Sequence, residues 1–452
     1  MKLSKFFKFV EIEDDVYAIF NTLMMKILYV NKLELENIIN LNYDNFKIMK
    51  EYGIYVDDDS SQDKKGLELM QNSQKYQSKK VAVLYFILST SCNLKCKYCF
   101  VENNEFNNHC EVNMSKEVAL EAANKYLKYI KDNIKDIYEP QIIFYGGEPF
   151  VNFEVMKDVV NCINESGLHI NLSLVTNGTL LDDERIKFLK DNNFHIGISI
   201  DGPKDINDAN RIYREGKKSV YDTVIKTVNK IEAAEIPYCF SITVSKTLLK
   251  NKERYFNWIK RLQTKEIFYN LYHYGYGEDS SDWEDFYTEM CQFLIESYET
   301  LNPLGIKDGR LARKIDSFTD NIFKFADCAT IGANQLTIKP NGNVVICHGY
   351  CKTDKNTLGN IFDFSIEDLI QNPNCEIWAN LSPICRNECL DCEALYICGG
   401  GCAVEAETLF GGIKELDRCY CIHSKTSLNW LLKKLYLSSQ NKEQNKRLEV
   451  LL

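Results

Sequence analysis

Between Val81 and Tyr298 short apolar runs alternate with amphipathic helical stretches, and no other feature of the chain constrains its fold as strongly. The runs begin at Val81 (VAVLYFIL), Gln141 (QIIFYG), Ile170 (INLSLVT), Phe194 (FHIGISI), Tyr238 (YCFSITV) and Glu266 (EIFYNLY). Helical periodicity follows each, over 116–130, 153–163, 183–189, 220–234, 252–262 and 283–298. Apolar runs separated by helices are the sequence form of a parallel sheet covered by helices. Six such units predict an α/β fold, an open, partial (β/α)6 barrel. Right-handed crossovers place all six strand C-termini on one rim, where ligands bind in this architecture.

Two regions flank the barrel, which is expected over 79–308. Residues 1–78 read as a small winged-helix-like module with a strand pair (FFKFVEI, DVYAIFNT), a further strand and a helix or two (NKLELENIINL, NFKIMKEYG). The polar stretch from Asp57 to Lys80 is expected to be a linker with one helical turn. Over 309–452 the alternation fades into cysteine-rich segments, a last amphipathic helix at 427–437 and a polar tail. No repeat at solenoid spacing is present.

The length of 452 residues, 45% of them hydrophobic, suits two or three domains with substantial cores. A net charge of −10 argues against a nucleic-acid partner, because phosphate attraction dominates such binding. No apolar run reaches bilayer-spanning length, and the first thirty residues alternate apolar with charged positions, unlike a secretory signal. A cytoplasmic location without membrane contact is therefore expected. Eighteen cysteines in such a chain are expected to serve as metal or cluster ligands rather than disulfides.

Cys92, Cys96 and Cys99 follow directly on the first strand, on the ligand-binding rim. A structural zinc site closes with four ligands, whereas three clustered thiolates leave a position open. A four-iron cluster held by three thiolates keeps one iron for a substrate. A zinc knuckle that borrows a distant cysteine is the alternative. The spacing, with Tyr98 before the last cysteine, resembles the radical S-adenosylmethionine enzymes. Gly146-Gly147-Glu148-Pro149, ending the second strand, resembles the family segment that binds the methionine amino group, the glycines allowing close backbone approach to the ligand. Thr176-Asn177-Gly178-Thr179 ends the third strand and Ser199-Ile200-Asp201-Gly202-Pro203 the fourth. The resemblance implies that Ser199 meets the ribose and Arg211 the methionine carboxylate; a surface ion pair is the other reading of Arg211.

Downstream come Cys328, Gly342-x4-Cys347, then Cys389-x2-Cys392-x5-Cys398-x3-Cys402, and Cys419 and Cys421. The series resembles the SPASM extension of peptide- and protein-modifying radical enzymes, and the resemblance implies two auxiliary four-iron clusters, three clusters in all. Carried over, Cys328, Cys347 and Cys402 would hold the first and Cys389, Cys392, Cys398 and Cys421 the second. Either Cys351 completes the first set or an iron stays open to a substrate thiolate. A pair of zinc sites is the alternative here. Cys110, Cys162, Cys239, Cys291 and Cys375 are expected to be ordinary packing residues; Cys385 and Cys419 stay open.

The resemblance, spanning Val81 to His423, implies reductive cleavage of S-adenosylmethionine to a 5'-deoxyadenosyl radical, with ferredoxin or flavodoxin as a donor type. The preferred substrate is a ribosomally made precursor peptide whose leader docks on the N-terminal module, cross-linked through a cysteine thioether. Carbon–carbon cross-linking and sulfatase maturation are competing reactions. In the sulfatase-activating group an aspartate follows the Gly-x4-Cys cysteine; here it is His348, which can also take a proton. A non-catalytic iron–sulfur or zinc scaffold is the reading from another class, and the full set of S-adenosylmethionine motifs opposes it.

Overall fold

The structure is a computed structural model, and it describes residues 1–99, 101, 112–275 and 278–440. Cys110 and the tail beyond residue 440 lie outside the described residues. The N-terminal elements are β1 (Phe7–Glu13), β2 (Val16–Asn21) and β3 (Ile27–Val30), an antiparallel sheet in that order, then α1 (Lys32–Ile39) and α2 (Phe46–Glu51). α1 opens with a capping box: the Asn31 side chain accepts from the Glu34 N–H at 2.8 Å, and Glu34 accepts from the Asn31 N–H at 3.0 Å.

The expected linker is instead a seventeen-residue helix, α3 (Ser61–Gln77). Its polar composition conceals tertiary anchors. Leu67 and Met70 pack on a core shared with the C-terminal domain, and Gln71 and Gln74 donate to the carbonyls of Ile384 (3.2 Å) and Ala379 (2.8 Å). Buried Asp63 accepts from the Ser4 hydroxyl at 2.6 Å and the Lys5 N–H at 2.9 Å. A short polar helix is marginal alone; packing of this kind stabilises it.

The barrel follows the expected alternation: β4 (Val83–Ser89), α4 (Lys116–Asp132), β5 (Gln141–Gly146), α5 (Phe153–Ser166), β6 (Asn171–Thr176), α6 (Asp183–Asp191), β7 (His195–Ser199), α7 (Lys204–Asn210), α8 (Val220–Ala233), β8 (Tyr238–Thr243), α9 (Lys252–Ile259), β9 (Glu266–Asn270) and α10 (Trp283–Leu301). Strands β4 to β9 pair in parallel, each of β5 to β9 with its predecessor. Ile142 and Phe144 of β5 face the core under α4 and α5, while the alternate residue Tyr145 turns to the other face, beside Tyr85 of β4.

The sheet does not stop at six strands. β10 (Lys307–Asp308) extends it beyond β9, and α11 (Gly309–Thr319) leads out of the barrel. On the opposite edge β11 (Gln335–Ile338) pairs in parallel with β4, and β12 (Asn343–Val345) and β13 (Thr357–Asn360) continue antiparallel. The cysteine-rich region is thus hydrogen-bonded onto the barrel sheet. Helices α12 (Ala403–Phe410) and α13 (Arg418–Gln440) complete it, α13 being longer at both ends than the periodicity over 427–437 predicts and carrying Cys419 and Cys421.

The N-terminal module has one small core of its own, around Ile19, Ile38 and Met49. Its opposite face, Phe6, Ile12, Ala18 and Phe20, shares a core with Leu311, Ile315, Leu395, Leu428 and Leu431. The Tyr29 hydroxyl donates to the Leu432 carbonyl at 2.8 Å. Among the described residues no helix is long and apolar enough to cross a membrane.

Candidate functional site

The cysteine loop leaves β4 at Ser89 and is splinted by the end of β5. The Gly147 N–H donates to the Ser89 carbonyl at 2.8 Å and the Glu148 N–H to the Ser91 carbonyl at 2.9 Å. A Cβ on Gly146 would stand 2.2 Å from the Ser89 oxygen, and one on Gly147 2.3 Å from the Ser91 oxygen. These glycines therefore serve the contact between two backbone segments, a role the sequence did not indicate. Gly146 also has φ 145°, a conformation other residues rarely adopt.

Glu148 is fully buried, and its carboxylate accepts from the Thr176 hydroxyl at 2.7 Å, the Asn177 N–H at 2.8 Å and the Phe150 N–H at 3.2 Å. Burial pushes its carboxyl up to about 7, against the pull of those donors. Glu148 thus joins the end of β5 to the end of β6. From there Asn177 reaches the cysteine loop, donating to Asn93 Oδ1 at 2.9 Å and to Cys92 Sγ at 3.6 Å, while Asn93 donates to the Thr179 hydroxyl at 2.8 Å.

The fourth strand supplies Ser199, half-buried and paired in register with Ser241, and next to it Asp201. Asp201 accepts from the Tyr98 hydroxyl and, at 3.2 Å, from Arg211 Nη2. Arg211 is 7% exposed, so it forms a buried pair rather than a surface one. Its guanidinium stands 5.5 Å from the Tyr98 ring centroid, and its buried Nε has no hydrogen-bond partner. An unsatisfied donor of this kind is costly inside a protein and fits a site for an anionic ligand group.

Across the sheet, the turn after β12 carries Cys347, His348 and Cys351 over the same face of the barrel. The His348 ring stacks on Tyr85, with centroids 4.7 Å apart, and lies 5.1 Å from Tyr145. Burial, then nearby His273, pushes His348 down to about 4. Cys351 packs with Ile87 and Val101, against Cys99 and Tyr145. Near His348, His273 beyond β9 bonds through Nδ1 to Glu405 of α12 at 2.6 Å. A separate cavity of about 290 Å³, lined by Gln141, Asn171, Ser173 and His195, lies at the opposite end of the strands.

The downstream thiols form two groups. After burial, neighbouring sulfurs add to the proton affinity of these thiols: Cys398 and Cys392 act on Cys389, Cys398 acts on Cys392, and Cys398, Cys392 and Cys389 act on Cys421, while Cys328 acts on Cys347 and Cys347 on Cys402. Cys351 is within electrostatic reach of both Cys347 and Cys99. Burial pushes Cys92, Cys347, Cys351, Cys389 and Cys421 up to about 12 and Cys96 and Cys392 to about 11. Buried thiols are protonated at neutral pH, and coordination to a metal deprotonates them. Cys419 is buried beside Cys291, Asp417 and Glu405, and Cys385 donates to Gln74 on α3 at 3.5 Å. Cys375 is core, as expected.

Between the two groups lies a buried charge network that the sequence reading passed over. Asp327 precedes Cys328 and faces Arg310 at 3.4 Å, Arg313 at 3.6 Å and Lys314 at 3.8 Å. Although burial favours its protonated form, Lys314, Arg310 and Arg313 hold it well below the carboxylate range. A signal was available: Leu311, Ile315 and Phe318 mark the buried stripe of α11, and Lys314 falls on it. Asp201, two residues beyond Ser199, was legible as a polar side chain at a strand end but received no role.

Set beside known proteins, the barrel carries a radical SAM superfamily match over residues 86–259, and the cysteine-rich region matches the SPASM iron–sulfur cluster-binding domain over 328–393. The chain belongs to the radical SAM enzymes that carry a SPASM domain. It is 27% identical over 333 residues to a cysteine-type anaerobic sulfatase-maturating enzyme of Clostridium perfringens, covering 70% of this chain and 86% of that one. To the radical SAM cyclopropyl synthase TigE of Paramaledivibacter caminithermalis it is 25% identical over 441 residues, 91% and 87% of the two chains. Its fold is that of anSMEcpe solved with bound AdoMet, with TM-score 0.66 and 21% identity over 79% of this chain and 99% of that one. SuiB of Streptococcus suis, bound to S-adenosylmethionine, shares the fold at TM-score 0.55 and 14% identity over 93% and 100% of the chains. Iron–sulfur clusters and S-adenosylmethionine are the cofactors these domains imply.

Proposed function

We propose that the chain is a peptide maturase that removes two hydrogens from a ribosomally made precursor peptide and leaves a cross-link, preferably a cysteine thioether. One observation carries this reading: Cys351 of the SPASM region shares a buried cluster with Ile87 and Val101, against which Cys99 and Tyr145 of the barrel pack, so the two cysteine fields adjoin, and the space between them is the proposed substrate chamber. A substrate side chain held there is in reach of both. The relatives support a protein or peptide substrate, since one is named a sulfatase-maturating enzyme and SuiB has been solved with its precursor peptide SuiA.

In this reading Cys92, Cys96 and Cys99 hold the cluster that binds S-adenosylmethionine. Cys328, Cys347 and Cys402 hold the first auxiliary cluster, and Cys389, Cys392, Cys398 and Cys421 the second, three clusters in all. When bound and reduced, the first of these with S-adenosylmethionine supplies a 5'-deoxyadenosyl radical, which takes a hydrogen atom from the substrate. Arg211, oriented by Asp201, binds the methionine carboxylate, and Gly146 to Pro149 hold the cysteine loop in register beneath it. Thr176 and Asn177 fix that loop through Glu148 and Asn93, and Ser199 faces the ribose. Tyr85, Tyr145 and Tyr98 wall the space and exclude water. Three thiolates for a four-iron cluster leave one corner without a protein ligand, which fits a substrate thiol. Cys351 is assigned to the chamber rather than to that cluster.

The N-terminal sheet is the proposed leader-binding element, with β1 as its edge. A low-potential ferredoxin or flavodoxin is the proposed donor, and the cytoplasm the proposed location. Mass spectrometry on anaerobically reconstituted protein given reductant, S-adenosylmethionine and candidate cysteine-bearing peptides tests the reading. A loss of two hydrogens with one fewer alkylatable thiol supports the thioether. The same loss with every thiol alkylatable moves the assignment to carbon–carbon bonding, and oxidation of a sulfatase peptide to formylglycine makes it a sulfatase maturase.

A further inference from the structure

Lys314 is 0% exposed, on the buried stripe of α11, the helix that leaves the barrel for the cysteine-rich region. Its Nζ donates to the carbonyls of Ile397 at 2.9 Å and Cys398 at 2.5 Å, and it lies 3.8 Å from Asp327 and 4.5 Å from the Tyr420 ring centroid. The Asp327 N–H donates to the Gly399 carbonyl at 2.9 Å. One ammonium therefore ties the segment bearing Cys328 to the segment bearing Cys398.

Arg310 and Arg313 crowd the same carboxylate, Arg313 also donating to the Asp327 carbonyl at 2.9 Å. Two packed cations, Lys314 and Arg310, beside one buried carboxylate, with Arg313 at the rim, leave net positive charge in the interior, which is expensive unless further negative charge lies nearby. Thiolate-ligated iron–sulfur clusters are anionic, and both auxiliary thiol sets adjoin this network. Lys314, at 0% side-chain exposure, and Arg310, at 14%, are too deeply packed to meet a substrate.

We infer that Lys314 is a positioning residue that raises the midpoint potentials of both auxiliary clusters, with Asp327 opposing it. The inference rests on the auxiliary-cluster reading above. The physical reason is simple: reduction makes a cluster more negative, and a fixed neighbouring cation stabilises that form. The substrate gives up one hydrogen as an atom to the 5'-deoxyadenosyl radical and the other as a proton and an electron, and Lys314 thereby favours the auxiliary clusters as acceptors of that electron. The electron then leaves to a one-electron protein carrier.

The test is an EPR-monitored redox titration of full-length Lys314→Met and Asp327→Asn, with iron counted in each. Lys314→Met is expected to move both auxiliary midpoints downward, Asp327→Asn to move them upward, and neither to move the S-adenosylmethionine-binding cluster. Unshifted auxiliary midpoints in iron-replete variants, or equal shifts in all three clusters, overturn the inference. Should Lys314→Met lose auxiliary iron, Asp327→Asn decides alone: an upward shift supports the inference and an unchanged midpoint overturns it. Wild-type protein with iron for a single cluster overturns the auxiliary-cluster reading, and the inference with it.

Discussion

Gly147 lies so close to Ser91 that a Cβ on it would stand 2.3 Å from the Ser91 carbonyl oxygen. The end of the second barrel strand is thereby a splint for the loop that carries Cys92, Cys96 and Cys99. Gly147→Ala must push that loop away, because the obstructing atoms are backbone and cannot rotate aside. The expected cost is about 1–3 kcal/mol. Circular dichroism should report an intact fold, while iron content at this site and 5'-deoxyadenosine formation both fall.

Glu148 accepts three hydrogen bonds in a site closed to water. Glu148→Gln replaces one acceptor oxygen with a donor amide that faces another donor, at a cost of about 1–3 kcal/mol. The expected outcome is a lowered Tm and weaker S-adenosylmethionine binding, read by calorimetric unfolding and titration calorimetry. Wild-type Tm and affinity in the Glu148→Gln variant would mean that the β5–β6 tie is dispensable.

Cys351 packs on the barrel side, against Cys99 and Tyr145. Cys351→Ala should therefore keep the full iron complement and the auxiliary spectra of wild type. Loss of iron at the first auxiliary cluster would make Cys351 its fourth ligand and leave no open iron for a substrate thiol.

Phe20 of the N-terminal sheet is fully buried in a core shared with Leu395, Leu428 and Leu431 of the cysteine-rich region. Phe20→Ala is expected to cost about 3–5 kcal/mol. Hydrogen exchange should show the loss spreading into α13 and the Cys389–Cys398 segment as well as β1 to β3. Protection lost from the N-terminal module alone would show it to be an independent attachment.

The barrel was legible because each strand is a short apolar run and each helix a clear 3.6-residue pattern, and the cysteine loop because its three thiols are close together in sequence. What escaped depended on distant partners. Within SQDKKGLELMQNSQKYQ the sequence suggests one helical turn and not the full helix, since Gln71 and Gln74 find their acceptors more than three hundred residues away. Gln335 to Ile338 is too short to declare which strand it joins, yet its pairing with β4 brings His348 over Tyr85. Gly146 and Gly147 stood out for their flexibility, but their close approach to the Ser89 and Ser91 carbonyls depends on the fold and is not written in the segment itself. Asp201 looked like one polar rim residue among several, and only the fold shows it buried between Tyr98 and Arg211. Lys314 could have been singled out, because a lysine on an apolar helical stripe must find buried partners.

The central claim is that Cys92, Cys96 and Cys99 form the site at which S-adenosylmethionine is cleaved. Its most direct test is 5'-deoxyadenosine, measured by liquid chromatography with mass detection, from anaerobically reconstituted and reduced protein and from the variant with all three cysteines changed to alanine. The account predicts 5'-deoxyadenosine from the wild type and none from the variant, which keeps about two thirds of the iron in its two remaining four-iron clusters. Equal 5'-deoxyadenosine from both proteins, or none from fully iron-loaded wild type, would contradict it.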